Sequence, residues 1–422
     1  MYYETAEKLL EFIRKSPTAF HAVDTMKKTL AGNGFQELSE KELWSLTPGG
    51  NYMVTRNNSA LIAFSIPEKA PYSFHIMASH SDSPTFKIKE NPEITVEKAY
   101  VKLNVEKYGG MLMSPWFDRP LSVAGRVVVR ENGELKEKLV DIDRNLLMIP
   151  SLAIHMNREV NSGYAYNPQK DLLPLYGTAG TKEPFGKLIA EAAGTSEENI
   201  LGHDLFLYNR VQGTVWGAER EFVSAGRLDD LQCAFSSLQG FLKGDKKEYV
   251  AVHCVLDNEE VGSGTRQGAA SAFLKDTLLR INSGLGRTYE EYLMCLADSF
   301  MISADNAHAL HPNYTDQSDP VNHPVLNGGI VIKYNANQKY CTDAVSAAVF
   351  KEICARAEVP YQTFVNRSDI AGGSTLGNIS NTQVPVSTVD IGLPQLAMHS
   401  PYETAGVMDT YSLVKAAELF FA

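Results

Sequence analysis

Apolar and polar positions follow two different periods along this chain. Between residues 4 and 15, Leu9, Leu10, Phe12 and Ile13 fall on one side and charges on the other, which predicts an amphipathic helix. Ser16-Pro17 predicts a cap with proline in the first turn of a second helix over residues 18–30. There Phe20, Val23, Met26 and Leu30 recur at helical spacing, and Gly32-Asn33-Gly34 ends the run. From Tyr52 the period shortens. Residues 52–55, 59–66 and 72–78 predict strands, and the last runs into Ser79-His80-Ser81-Asp82-Ser83-Pro84.

A different texture spans about residues 85–221. Short alternating runs (94–105 and 121–129), many turns and a loop-rich stretch over 157–183 predict extended β structure, with one helix near 188–193. From Phe222 strands and helices alternate again. Residues 231–242 predict a helix. Residues 249–256 form a near-continuous apolar run, as a strand buried on both faces requires. A helix near 271–279, strands near 300–304, 329–334 and 386–391, and a closing helix over 411–421 complete the pattern. The alternation predicts an α/β fold: a mixed twisted sheet flanked by helices, built from residues 1–86 and 222–422, with a β-rich domain of residues 87–221 inserted. A chain of 422 residues with 44% hydrophobic residues can bury such a core unaided.

The formal net charge of −11 argues against nucleic acid or an anionic membrane surface as partner, since phosphate binding needs a basic field. The five cysteines (Cys233, Cys254, Cys295, Cys341 and Cys354) are odd in number and lack CxxC spacing. They predict free thiols in a reducing compartment, and a cytoplasmic location is expected. The first residues carry no signal-peptide pattern, and no apolar stretch approaches the roughly 18 residues of a membrane span.

Chemistry-bearing residues cluster just after predicted strands. His80 and Asp82 follow one, Glu259 and Glu260 another, Asp305 a third; His399 lies shortly after a fourth, and Asp229 precedes a helix. Open α/β sheets gather ligand sites at the carboxyl ends of their strands. Each segment also has a plainer reading: a structural histidine, an Asp pair capping a helix, a Glu-Glu solvated turn. The turn Asp257-Asn258-Glu259-Glu260 nevertheless abuts a fully apolar strand, where two acids need compensating charge that a cation would supply. A two-metal hydrolase requires a bridging carboxylate, a His and a further carboxylate for each ion, and one spare acid to take a proton from water. This chain offers that set.

Together these segments resemble the aspartyl aminopeptidase family of dinuclear zinc exopeptidases, over nearly the whole chain. The resemblance rests on Ser79–Pro84, Gly226-Arg227-Leu228-Asp229-Asp230, Asp257–Ser263, Ser303–Asn313 and Pro394–Ser400. It implies that Asp229 bridges two divalent ions, with His80 and Asp305 completing one site and Glu260 and His399 the other. Zinc suits these ligands; manganese and cobalt are compatible. Asp82 would orient His80, and Glu259 would be the general base that later passes its proton to the leaving amine. His155 would reach in from a neighbouring subunit to stabilise the oxyanion. His308 and Lys333 would lie near the pocket for the substrate's first residue, Lys333 facing an acidic side chain. From local sequence alone His155 is equally a structural histidine, His308 equally a brace for the metal ligands, and Lys333 a strand-end lysine reaching solvent.

The sequence departs from the family at Asp230, where relatives often carry Asn, and at Ser151, where some carry His; residues 157–183 also fit poorly. The implied function is removal of a single, acidic N-terminal residue from short peptides with free amino ends. The implied assembly is a homo-oligomer, dimers built through the inserted domain and arranged as a dodecamer. The competing readings are a carboxypeptidase or deacylase sharing the catalytic fold, and a metal-stabilised assembly protein without catalysis.

Overall fold

The computed structural model describes residues 1–69 and 73–422. The chain forms two compact units, one of residues 1–82, 213–398 and 403–422, the other of residues 83–212 and 399–402. Both are built on mixed or antiparallel sheets, and helices flank the larger one, giving the α/β fold that the alternation predicts.

The first unit is organised by a nine-stranded sheet. In chain order its strands are β1 (Gln36–Leu38), β2 (Asn51–Arg56), β3 (Ala60–Ser65), β4 (Phe74–His80), β5 (Val250–Leu256), β6 (Phe300–Ala304), β7 (Ile330–Tyr334), β8 (Tyr361–Val365) and β9 (Ser387–Gly392). Their spatial order is β1-β2-β3-β5-β4-β6-β9-β7-β8. The expected start of β4 at Tyr72 lies outside the described residues. The four central strands β5, β4, β6 and β9 run parallel, so their carboxyl ends share one edge. Register places Leu256 beside His80 and Ser303 beside Ala78. The residues that follow β5 and β6 therefore start level with His80.

Eight helices of this unit are α1 (Tyr2–Arg14), α2 (Ala19–Gly32), α3 (Leu228–Lys243), α4 (Phe273–Gly284), α5 (Tyr289–Ala297), α6 (Ala344–Arg356), α7 (Leu376–Ser380) and α8 (Asp409–Phe420). Alternate residues of β5 enter two different cores, because a strand's side chains point to opposite faces. Ala251 and Val255 pack with α1, α2, α3, α6 and α8, whereas Val252 and Cys254 pack with α4 and α5. A continuous apolar run was thus the correct sign of a strand covered on both sides. Five short strands (residues 214–216, 222–225, 307–308, 394–396 and 403–406) form a further sheet in this unit.

Local differences from the sequence reading have identifiable causes. The second helix is capped at Thr18, two residues beyond Ser16; Thr18 is extended, and its hydroxyl bonds to Nδ1 of His21 at 2.9 Å. Asp229 and Asp230 do not precede α3 but sit within its first turn. Both have non-helical backbone angles and a cis peptide joins them, while Arg227 takes the left-handed conformation at the cap. Helix α5 went unforeseen although Thr288 and Glu291 form a capping box, and α6 is capped the same way by Asp343 and Ser346.

The second unit is a six-stranded antiparallel sheet, in the order 134–141, 121–131, 200–209, 85–96, 100–108 and 175–178. Its core includes Phe86, Trp116, Val127 and Leu205, with Phe185 and Ile189 of the helix Phe185–Ala192. The run over 94–105 is a hairpin rather than one strand. The chain reverses at Glu97 and Lys98, both with positive φ, and neither residue type signals such a turn. Residues 83–86, placed with the first domain from sequence, enter this sheet through the strand Thr85–Val96. The segment His399–Tyr402 also groups here: the Asn209 side chain donates to the carbonyl of Pro401 at 3.0 Å.

Gly240 lies mid-helix in α3, where glycine normally weakens a helix. A Cβ there would stand 2.3 Å from Cβ of Ala417 and 2.7 Å from the Ala417 carbonyl carbon, so α3 and α8 touch through their backbones. Gly240→Ala is therefore expected to lower unfolding stability by about 1–3 kcal/mol despite better helix propensity. Urea denaturation with the zinc content held constant checks this; a stabilised variant would show that the two helices can part freely.

Candidate metal centre

His80 ends β4 and is almost fully buried. Its Nδ1 lies 3.1 Å from the backbone carbonyl of Asp82 and 3.3 Å from that residue's Oδ1. This contact fixes the ring and turns Nε2 toward two carboxylates. Nε2 is 3.4 Å from Oδ1 of Asp229 and 3.9 Å from Oδ1 of Asp305. With Asp230 added, one candidate ligand atom from each of these four residues lies within 4.8 Å of the others. A second group, His80, Glu259 and Glu260, satisfies the same limit.

Asp82 does more than orient the histidine. Its Oδ1 accepts the backbone N–H of Glu259 at 3.1 Å and its Oδ2 that of Glu260 at 3.2 Å. One buried carboxylate thereby positions the imidazole and both acids of the turn after β5. The Asp229–Asp230 pair is held similarly: Glu403 Oε2 accepts Asp229 N–H at 3.0 Å, and Asp230 Oδ2 accepts His80 N–H at 3.0 Å. The pair therefore does not cap α3; its carboxylates turn to the cluster. Asp305 follows β6, and Gly392 of β9 lies against its carbonyl, where a Cβ would come within 2.0 Å.

The cluster is strongly anionic for its burial. Desolvation, reinforced by Asp305, Asp229 and Asp82, pushes Glu259 up to about 7, against the lowering pull of His80. Burial, then Asp82, pushes Asp257 up to about 7. Glu260 and Asp230 are also driven well above the usual carboxylate range, burial being the main cause. Burial alone would depress the His80 imidazole, but Asp230 first, then Asp229, Asp305 and Asp82, hold it well above its ordinary value. This is the arrangement expected of a cation site: a histidine braced through its far nitrogen, with several buried oxygen donors crowded around it. The donor set fits zinc.

Lys333 contributes one balancing charge. It is 3% exposed, so it does not reach solvent as a strand-end lysine would. Its Nζ donates to the carbonyl of Asn306 at 2.8 Å, lies 3.6 Å from Oδ2 of Asp305, and sits 5.5 Å from the centroid of the Tyr340 ring. Tyr340 in turn lines a cavity of about 310 Å³ that is also bordered by His308, His311, Phe364, Arg367 and Gly372. His308 is exposed, its ring 6.2 Å from that of Phe364.

The remaining two expected residues belong to the second unit. His399 groups with it, its carbonyl accepting the N–H of Leu112 at 3.1 Å. His155 is exposed in a turn between Ile154 and Met156, which are themselves 47% and 70% exposed. Sequence reasoning missed Glu403, Asp257 and the engagement of Lys333. Glu403 follows Ser400-Pro401-Tyr402 with no pattern around it, and only the sheet brings it to Asp229. Asp257 shares a turn already singled out and could have been found there.

The family model described as Aminopeptidase I zinc metalloprotease (M18) matches residues 12–421. A "Probable M18 family aminopeptidase 2" of Clostridium acetobutylicum is 48% identical over 426 aligned positions, covering 99% of this chain and 98% of that relative. A chain from the cryo-EM structure of the Ape4 and Nbr1 complex superposes with a TM-score of 0.96 at 37% identity, covering 100% of this chain and 86% of that one. The mApe1 dodecamer of S. cerevisiae gives 0.86 at 28% identity, covering 100% and 97%. With buried histidine and carboxylates gathered at the carboxyl edge of its parallel strands and a family match over nearly its full length, this chain belongs to the M18 family of zinc metallo-aminopeptidases.

Proposed function

We propose that this aminopeptidase works with two metal ions and prefers an acidic first residue. Asp229 would bridge the ions, His80 and Asp305 would hold one, and Glu260 and His399 the other. Two such cations supply Lewis acidity for the scissile carbonyl and lower the pKa of bound water toward neutrality. Glu259 would accept the water's proton and return it to the departing amine. The observation that carries this reading is the Asp82 carboxylate. It binds the N–H groups of Glu259 and Glu260 together, so the acid proposed as base and the acid proposed as ligand are presented from one rigid turn beside His80.

The first residue's side chain would enter the cavity beside His308. Lys333, behind the Tyr340 wall, would bias it toward carboxylates while also balancing Asp305. His155 would serve a neighbouring copy as oxyanion donor. Support comes from the exposed Leu152, Ile154 and Met156 around it, which invite a second copy, and from the dodecamer of the S. cerevisiae relative. A homo-oligomer of dimers, up to a dodecamer acting on short peptides, follows from that reading.

Three outcomes test this. Glu259→Gln should retain bound zinc and lose at least about 1,000-fold in kcat, as removal of a coupled general base does. Activity within a few-fold of the parent would reject its role. In a panel of reporter substrates, Asp-peptides with a free amine should be cleaved and amino-blocked ones ignored; release from the carboxyl end would favour the carboxypeptidase reading. Lys333→Ala should cut kcat/KM for the Asp substrate about 10- to 100-fold more than for a Leu substrate.

A fourth test concerns metal removal. Glu259 and Asp257 have ordinary values of 4.5 and 3.8, and the fold raises both to about 7. Between those limits the folded chain binds more protons than the unfolded one, so stability falls as pH rises. Metal-free protein should lose up to about 1.4 kcal/mol per pH unit for each such group between roughly pH 4.5 and 7. Zinc should flatten that slope, as thermal melts across pH with and without chelator would show.

A further inference from the structure

The cavity beside His308 is bordered by two loops. Residues 335–343 lead from β7 to α6 and carry Tyr340; residues 366–375 lead from β8 to α7 and carry Arg367 and Gly372. Asp390, on β9, connects both. Its side chain is buried, with 1% of the residue exposed. Oδ2 accepts the backbone N–H of Cys341 at 2.5 Å, and Oδ1 accepts the hydroxyl of Thr375 at 2.7 Å. The backbone N–H of Asp390 donates to Thr342 Oγ1 at 2.9 Å, which adds a second tie to the first loop. A Cβ on Gly377 would lie 2.5 Å from Oδ1, so the first turn of α7 rests directly on the carboxylate.

A carboxylate this deep in a sheet carries a large desolvation cost, and an apolar residue would serve packing better. Its two oxygens accept from two different loops, which the single acceptor oxygen of an amide would not reproduce. We propose that Asp390 is a positioning residue for substrate selection: by fastening Cys341 and Thr375 together it holds the two loop walls of the cavity in one shape, and so decides which first residues fit. This rests on the reading that the cavity receives the first residue's side chain.

Zinc-loaded full-length Thr375→Val and Asp390→Asn test it, with Thr375→Ser as the conservative control. Thr375→Val removes only one hydroxyl and keeps the experiment decisive should the Asn variant fold poorly. Amide exchange over residues 335–343 and 366–375 should quicken in the Val variant and return toward the parent in Ser. KM should rise about tenfold for an Asp reporter, whose side chain fills the cavity, and stay within about twofold for a Gly reporter, the loss expected of one charge-assisted hydrogen bond. Kcat and zinc content should hold. Unchanged exchange in the Val variant would overturn the clamp. Faster exchange with KM unaltered for both reporters would overturn the cavity's role in selection and leave the metal chemistry standing. Equal loss on both reporters, or loss of zinc, would place Asp390 in the catalytic centre instead.

Discussion

Carboxylates crowded together away from water repel one another and lose their hydration, and that constraint shapes the carboxyl edge of the large sheet. Asp229, Asp230, Asp305, Glu259 and Glu260 meet around a single imidazole. Asp82 and Asp257 add to the same charge from behind. Lys333 offsets part of it at Asp305. Backbone N–H groups of His80, Glu259 and Glu260 donate into the cluster and offset part of the surplus, and a bound metal would offset more.

Topology makes the crowding possible. Four adjacent parallel strands end at one level, so acids and a histidine distant in sequence arrive on the same edge without any long loop having to be ordered. The helix side contributes through its irregular first turn. A regular N-terminus would have spent the Asp229 and Asp230 side chains on capping; here their backbone is non-helical, and Glu403 and His80 take over the hydrogen bonding.

Much of this was legible in the sequence, for a physical reason. A strand covered on both faces must be apolar throughout, so residues 249–256 announced β5, and the polar residues abutting such a run stood out. His80, Glu260 and Asp305 were visible on that ground, Asp229 as one of an acidic pair beside a predicted helix, and the family resemblance joined them. What stayed hidden depends on tertiary pairing rather than local pattern. Glu403 has no distinctive neighbours and reaches Asp229 only because the strand 403–406 pairs with 222–225. Lys333 looks like a solvent-seeking strand end in one dimension, yet the neighbouring strands bury it. The turn at Glu97 and Lys98 was missed because both residues adopt a conformation that favours glycine or asparagine.

Strand order also separates two tasks within the first unit. The strand-borne residues that could hold metal end or follow β4, β5 and β6, at the middle of the sheet, and Asp229 and Asp230 join them from α3. The loops bordering the cavity leave β7 and β8, which lie beyond β9 at one margin, and β9 meets β7 antiparallel. Asp390 and Lys333 sit at this boundary, one tied to the loops and the other to Asp305. Changes in the marginal loops can therefore alter the shape of the cavity while the buried carboxylates, held by hydrogen bonds to Asp82 and Glu403, keep their places. On the reading that this cavity receives the substrate's first side chain, such a scaffold would let the cavity change shape without disturbing the costly part of the site, because the interactions that fix each belong to different strands.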